Sequence, residues 1–460
     1  VWIIPHVFSV LGFLLAVFLL SRILREHRPP ASTMAWLLAI VLVPYLGVPM
    51  YFLIGGRKHR RLAAKKAPLY PRSRSTGGGS EAQHAVERVL VTAGAPRPTS
   101  GNQLELLTSG ESAFARIIAL FESAERNIDV STFILGDDET GNAVLELLSR
   151  KAADGVRVRL LLDGLFAFRS NRKGLSRYVR AGGKLAVFMP LLRLPFRGPA
   201  NLRNHRKIIV VDGQRAILGG MNLASEYMGP TPMTGRWRDL SLAMSGPAVI
   251  HLHAVFRSDW EFAALGGNDD GPALEFLPPQ TGSARLQVVA SGPDVVLDTY
   301  YDAILSALFQ AKKRIWIATP YFIPDEAITR ALVLAIRRGV DVRIVVPQRS
   351  NHFAADIAGG SYLRQIENTG GHVCPYLPAM MHAKLALIDS DIGVLGSANL
   401  DMRSLFLDYE IAVFTYSPQE LEHLTRWFES LLVDCAPELG RPGRTRALAE
   451  DLGRLLAPLM

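Results

Sequence analysis

Two stretches carry the reading of this chain. The first is His205-Arg-Lys-Ile-Ile-Val-Val-Asp-Gly213, followed by Ile217-Leu-Gly-Gly-Met-Asn222. The second is His382-Ala-Lys-Leu-Ala-Leu-Ile-Asp389, followed by Val394-Leu-Gly-Ser-Ala-Asn399. Each has a His-x-Lys triplet, an apolar run, a turn at an Asp, and a second apolar run that ends in Gly-x-x-Asn. The two histidines are 177 residues apart. Working outward, Asn127–Ile134, Asn142–Ala153 and Val156–Asp163 read as strand, helix and strand, and Arg314–Phe322, Glu326–Arg338 and Val340–Pro347 repeat that order. The joints agree as well: Gly155-Val-Arg-Val-Arg159 recurs as Gly339-Val-Asp-Val-Arg343, 184 residues on. A repeat this long predicts an α/β chain of two similar lobes, each a mixed sheet flanked by helices.

On a strand, residues two apart share a face. His205 and Lys207 are therefore expected to project together, as are His382 and Lys384. Asn222 and Asn399, ending the paired strands, reach the same end of the sheet. Gly220 and Gly396 let the backbone come close to a ligand. Two such sets facing each other supply two imidazoles, two ammonium groups and two amides. That set suits a phosphodiester, because cations and amides hold the non-bridging oxygens while one imidazole attacks and the other protonates the leaving group. An unperturbed histidine titrates at about 6.5, so opposite protonation states are accessible near neutrality. Asp212 and Asp389 follow their histidines by an odd number of residues and stand at turns, so they read as structural. Asp239 and Glu410 open apolar runs after each motif. Two readings fit them: carboxylates that hold the histidine tautomers, or ordinary acids at the start of a strand.

The chain has 460 residues, 49% of them hydrophobic and 20% charged, which excludes a disordered protein. Its two cysteines, Cys374 and Cys435, cannot build a disulfide framework or a four-thiolate zinc site. The net charge of +9 is uneven: residues 1–74 carry eleven cations against the single acid Glu26, leaving −1 for the remainder. A neutral body argues against a nucleic-acid channel. The basic cluster beside apolar sequence fits anionic lipid headgroups, and equally a topology signal. Val1–Leu20 and Ala31–Gly56 lack Asp, Glu, Lys and Arg and are long enough to cross a bilayer. A cleaved signal peptide fits the first run poorly, since no basic region precedes it and Arg22 to Pro30 follows. The expected organisation is a transmembrane hairpin over 1–56, a basic juxtamembrane segment and linker over 57–100, lobes over 101–270 and 271–440, and a C-terminal helix over 441–460. The body is expected on the cytoplasmic side. Val187–Phe196, apolar and broken by prolines, is either a loop that dips into the bilayer or one packed on the core.

The motifs resemble those of the phospholipase D superfamily, whose signature is His-x-Lys-x4-Asp twice, and are similar above all to bacterial cardiolipin synthases. The likeness extends to Glu226-Tyr227, Trp237-Arg-Asp239, Gly246-Pro-Ala248, Thr319-Pro-Tyr-Phe-Ile-Pro-Asp325 and Gly396-Ser-Ala-Asn-Leu-Asp-Met-Arg-Ser404. The resemblance implies one active site between two lobes, no cofactor and no metal, and transfer through a phosphohistidine. It implies His205 as nucleophile, His382 as general acid and then base, and Lys207, Lys384, Asn222 and Asn399 on the phosphate. Ser397 and Gly220 are placed in the phosphate site with them. Implied partners are phosphatidylglycerol and anionic lipids of a bacterial inner membrane, with self-association left open. A hydrolytic phospholipase D, a nucleic-acid phosphodiesterase and a silent membrane scaffold are the competing readings.

Overall fold

A computed structural model describes residues 84–190, 202–264 and 277–456, together with 66–70 and, nearer the N-terminus, 17–18, 30–43, 45, 47–48 and 51. The first lobe contributes β1 (Thr99–Leu107), β2 (Asn127–Thr132), β3 (Arg157–Asp163), β4 (Lys184–Phe188), β5 (Ile208–Val211), β6 (Arg215–Gly219) and β7 (Ser241–Ser245). The second contributes β8 (Ala284–Ser291), β9 (Arg314–Ala318), β10 (Phe322–Ile323), β11 (Asp341–Pro347), β12 (His372–Tyr376), β13 (Leu385–Ile388), β14 (Ile392–Gly396), β15 (Leu400–Asp401) and β16 (Glu410–Thr415). All but β10 and β15 join one 14-stranded sheet, in the order β12-β11-β9-β13-β14-β16-β8-β1-β7-β6-β5-β2-β3-β4. Outward from the antiparallel β8–β1 seam, both halves run through equivalent strands in the same order. Within each half the outer three strands are parallel and the rest antiparallel, so the repeat appears as a pseudo-twofold arrangement of mixed half-sheets.

The local sequence explains the elements. Ile208-Ile-Val-Val211 is buried throughout, as strands covered on both faces must be, and it is a continuous apolar run. Asp138 and Asp325 cap the helices Glu139–Ala153 and Glu326–Arg337 by accepting from Gly141 N and Ile328 N, both at 2.9 Å. The expected strand Arg314–Phe322 is split: β9 stops at Ala318, because Pro320 has no N–H for a ladder. One apolar core crosses the seam, joining Ile208, Leu218 and Leu242 of the first lobe to Val288, Ile317 and Leu385 of the second. Strands β6 and β14 also touch, although four strands separate them in the sheet. The sheet therefore folds back at its seam and presents the two motif hairpins to each other.

One expectation changes, and two others fall only partly within the described residues. The stretch read as a linker is built into the body where it is described. Tyr70, Val86, Leu90 and Ala95 are core residues, and the helix Ala85–Thr92 packs on Thr299–Gln310. The valine–leucine spacing gives that helix an apolar face, which outweighs the surrounding Pro, Gly and Ser content. Among the described residues no helix is long and apolar enough to cross a membrane. The helix Pro30–Leu42 has 13 residues, and residues 45, 47–48 and 51 beyond it are helical too. Apart from Val17 and Phe18, the run Val1–Leu20 lies outside the described residues, as do residues 191–201 of the Pro-broken stretch. The start of that stretch packs inward: Phe188 is buried against Phe262 and Tyr409, at 5.1 and 4.9 Å between ring centroids. The C-terminal helix Arg444–Leu456 lies on Phe353–Asn368, where buried Glu450 pairs with Arg364 at 2.6 Å.

Candidate active site

Both His-x-Lys triplets precede their strands instead of lying within them. They sit in extended chain held by the other lobe. Asn204 bridges Tyr409, and Arg238 bridges Met381, both in parallel. His205 N donates to Tyr409 O and Tyr409 N to Arg203 O, each at 2.9 Å. Symmetrically, His382 N donates to Arg238 O at 2.7 Å and Arg238 N to Met380 O at 2.8 Å. Each triplet is thus laced to the chain that leads into the other lobe's carboxylate.

The consequence is a crossed pairing. His205 Nδ1 lies 2.9 and 3.1 Å from the two carboxylate oxygens of Glu410. His382 Nδ1 lies 2.7 Å from Asp239 Oδ2. A proton on Nδ1 donates to the carboxylate and leaves Nε2 as the working nitrogen. Aromatic rings fix both imidazoles edgewise or tilted: Phe133 against His205 at 4.8 Å, and Tyr227 and Trp237 against His382 at 5.2 Å each. Sequence spacing did not say which carboxylate serves which histidine. Across two lobes, that depends on how the sheet folds back.

Lys207 Nζ donates to His205 O at 2.7 Å. Lys384 Nζ donates to His382 O and stands beside the ring, 2.7 Å from Nδ1 and 3.2 Å from Nε2. Burial and the ammonium groups of Lys207 and Lys384 hold His205 well below the usual histidine value. His382 is held down likewise, by burial and then by Lys384 and Lys207. Burial lowers Lys207 to about 7 and Lys384 to about 8, although the opposing carboxylates work against it. Burial raises Asp239 and Glu410 to about 7, against the pull of the lysines. The two carboxylates and two lysines are thus brought close to neutrality, and an arriving phosphate anion would favour the charged lysines.

Asn222 and Asn399 stand three residues past the last residue of β6 and β14. Asn222 Oδ1 accepts from Ile134 N at 3.2 Å. Among the described residues, the buried Asn222 Nδ2 and Asn399 Oδ1 lack hydrogen-bond partners. An unpaired buried polar atom is costly: the Asn222 Nδ2 donor suits a phosphate oxygen, whereas the Asn399 Oδ1 acceptor suits a donor such as a hydroxyl. Ser397 and Gly220, grouped with the phosphate ligands from sequence, are differently occupied. The fully buried Ser397 hydroxyl donates to Glu410 Oε2 and accepts from Ile411 N at 3.0 Å. A Cβ on Gly220 would fall 2.2 Å from Asp239 Oδ1, so the glycine makes room for that carboxylate. At Gly396 the close approach is to Ile411 O of the neighbouring strand, at 2.1 Å from such a Cβ, and not to a ligand.

Asp212 and Asp389 stand at the far end of their strands in left-handed turns, with φ of 53° and 52°. The carboxylate of Asp212 accepts from the backbone N–H groups of Glu125, Arg126 and Asn127 at 3.1, 2.8 and 2.9 Å. Asp389 accepts from Lys312, Lys313 and Arg314 at 3.0, 2.6 and 3.0 Å. Each ties its hairpin to the start of the adjacent strand. Among the described residues no group of three or more His, Cys, Asp or Glu could hold a metal ion. Phe133 and Tyr409, now next to the histidines, carry no pattern in the sequence that marks them.

The family described as "Cardiolipin synthase, PLD-like domain" matches residues 117–260 and 304–432, both lobes of the crossed site. The chain belongs to the phospholipase D-like cardiolipin synthase family. A second family, "Phospholipase_D-nuclease N-terminal", matches residues 14–56. Among cardiolipin synthases, that of Geobacillus kaustophilus is 33% identical over 98% of this chain and 94% of its own. Cardiolipin synthase 1 of Bacillus anthracis is 33% identical over 92% of this chain and 86% of its own. Among solved structures, phosphatidylserine synthase of Haemophilus influenzae superposes with a TM-score of 0.60 at 15% identity. It covers 82% of this chain and 98% of that one, a likeness of fold alone.

Proposed function

We infer that this enzyme is a cardiolipin synthase, a phosphatidyltransferase that joins two phosphatidylglycerol molecules into cardiolipin and releases glycerol. The crossed pairs His205–Glu410 and His382–Asp239, flanked by two buried lysines, carry the reading. In the first step His205 Nε2 attacks phosphorus. The bond to the headgroup glycerol breaks, and His382, entering the step as the imidazolium that the bound phosphodiester anion and Asp239 stabilise, gives its Nε2 proton to the leaving oxygen. The phosphatidyl group is then held on His205 through a P–N bond. In the second step His382 takes the proton of the terminal hydroxyl on the second headgroup. That oxygen attacks phosphorus, the P–N bond breaks, and His205 is restored. One phosphodiester is exchanged for another, so no nucleotide is consumed.

Lys207, Lys384, Asn222 and Asn399 hold the phosphate oxygens and stabilise the charge that builds on them. Glu410 and Asp239 keep Nδ1 protonated in both steps and balance the imidazolium that forms. The N-terminal segment is proposed to anchor the body to the inner membrane as a two-helix hairpin, with the site on the cytoplasmic side and phosphatidylglycerol in reach. The match to residues 14–56 and the exposed Met34, Leu38, Val41 and Leu42 support that placement.

The test is incubation of the purified protein with phosphatidylglycerol vesicles and separation of the lipid products. Cardiolipin and glycerol in equal amounts are expected. Phosphatidic acid as sole product would make the enzyme a hydrolase.

A further inference from the structure

Lys66 belongs by sequence to the basic cluster that reads as facing lipid. In the fold it faces the other way. Its side chain is 1% exposed, and Nζ pairs with Asp259 Oδ1 at 2.9 Å and with Asp294 Oδ2. The neighbouring chain is fixed too: Leu69 N donates to Asp294 O at 3.0 Å, and the buried Tyr70 hydroxyl accepts from Ala290 N at 2.7 Å. Asp259 comes from the first-lobe helix Val249–Ala263 and Asp294 from the chain after β8 of the second lobe. Residues 66–70 therefore lock onto both lobes at their seam.

The same two carboxylates hold Arg206, the middle residue of the first His-x-Lys triplet. Its Nη1 lies 2.7 Å from Asp259 Oδ1, and its Nη2 3.0 Å from Asp294 Oδ1. Its Nε donates to the main-chain oxygen of Glu410 at 3.1 Å. Asn204 Nδ2 donates to Asp259 Oδ2 at 3.2 Å. The ring of Tyr409 lies near both cations, 5.6 Å from Lys66 Nζ and 5.3 Å from Arg206 Cζ. The residues on both sides of His205, and the residue before Glu410, thus rest on one buried cluster of two cations and two carboxylates. Burial works to raise Asp294, but Arg206 and Lys66 outweigh it and hold the carboxyl below its usual value. Without Lys66 the cluster is left with two buried acids and one base, and an uncompensated buried charge forces rearrangement. The second motif has Ala383 where the first has Arg206, so the device serves the His205 side only.

We propose that Lys66 is a positioning residue for His205, acting through Asp259, Asp294 and Arg206, and that segment 66–70 is part of the catalytic body and ties the site to the membrane-proximal chain. The proposal rests on the reading of His205–Glu410 as the reacting pair. A misplacement of about 1 Å costs on the order of a hundredfold in rate, and a partial shift costs less.

The test uses the full chain on phosphatidylglycerol vesicles, comparing wild type with Lys66→Met, Lys66→Gln, Lys66→Arg and Lys65→Met. The last removes the same net charge from the basic segment. Each variant is assayed below its own unfolding midpoint, and vesicle association is measured by flotation. Expected are a fall in kcat of about tenfold or more for Lys66→Met and Lys66→Gln with KM within twofold, and recovery to within a few fold in Lys66→Arg. Flotation should match wild type for the Lys66 variants, and kcat should be unchanged in Lys65→Met. Wild-type kcat in a folded Lys66→Met or Lys66→Gln variant overturns the proposal. So does a loss of flotation that accounts for the rate, or a folded Lys66→Arg as slow as Lys66→Met. Rates are read on whichever lipid product the wild type makes, so an enzyme that proves hydrolytic fails the transferase reading without touching this one.

Discussion

At the scale of single residues, the site is a set of charges taken out of water, and its titration follows from that. Asp239 and Glu410 are pushed up to about 7, while Lys207 and Lys384 are pushed down to about 7 and about 8. As pH falls through 7 the carboxylates protonate and the histidines lose their acceptors. As pH rises through 8 the free site loses the cations that receive an anionic phosphodiester. The pH profile of kcat/KM, which reports the free enzyme, should be a narrow bell between these limits. A flat profile from pH 5 to 10 would contradict the burial argument. The sign for stability is opposite to that for activity: a carboxyl raised above its unfolded value stabilises the fold at low pH and loses that contribution as pH rises through about 7. The asymmetry between the motifs is also testable. Gly220→Ser copies the second motif into the first, but its Cβ meets Asp239 Oδ1 at 2.2 Å. Displacing that carboxylate from His382 should lower kcat on the order of a hundredfold in the lipid assay. Wild-type turnover would show that His382 does not need Asp239.

At the scale of elements, the hairpins matter because they set where each His-x-Lys begins. Each is pinned at its far end by an Asp carboxylate that collects three backbone N–H groups. Removing that acceptor leaves donors unpaired at roughly 1–3 kcal/mol. Asp212→Ala and Asp389→Ala should each lower unfolding stability by about 2 kcal/mol in denaturant titrations. The kcat of the folded fraction should stay within a few fold. A selective loss of kcat with stability intact would mean the carboxylate acts in the chemistry. The turn was legible in the sequence, because Gly213 follows Asp212; the odd spacing from His205 carries no weight, since the triplet precedes its strand. The strand–helix–strand repeat was equally legible, since apolar periodicity and the Gly-Val joints recur. Other points were not legible. Pro320 cuts a strand that hydropathy alone runs through. The helix Ala85–Thr92 hides in a Pro- and Gly-rich neighbourhood, and Ser397 faces a carboxylate instead of a ligand.

At the scale of the whole molecule, the sheet folds back at its seam, so each lobe completes the other's histidine. The composition of the site could be listed from the two motifs. Its wiring could not, because Glu410 stands 205 residues from His205 and only the fold-back at the β1–β8 seam brings them together. Net charge misled in the same way: Lys66 counts as a surface cation until the fold buries it. The crossed wiring is tested most directly by mapping the covalent intermediate. The protein is mixed with labelled phosphatidylglycerol and quenched in alkali, under which phosphohistidine survives, and its peptides are located by mass spectrometry. The label should lie on the peptide holding His205, and its amount should fall sharply in Glu410→Gln, a change in the other lobe. Label on His382, or label on His205 that is indifferent to Glu410→Gln, would contradict the crossed site.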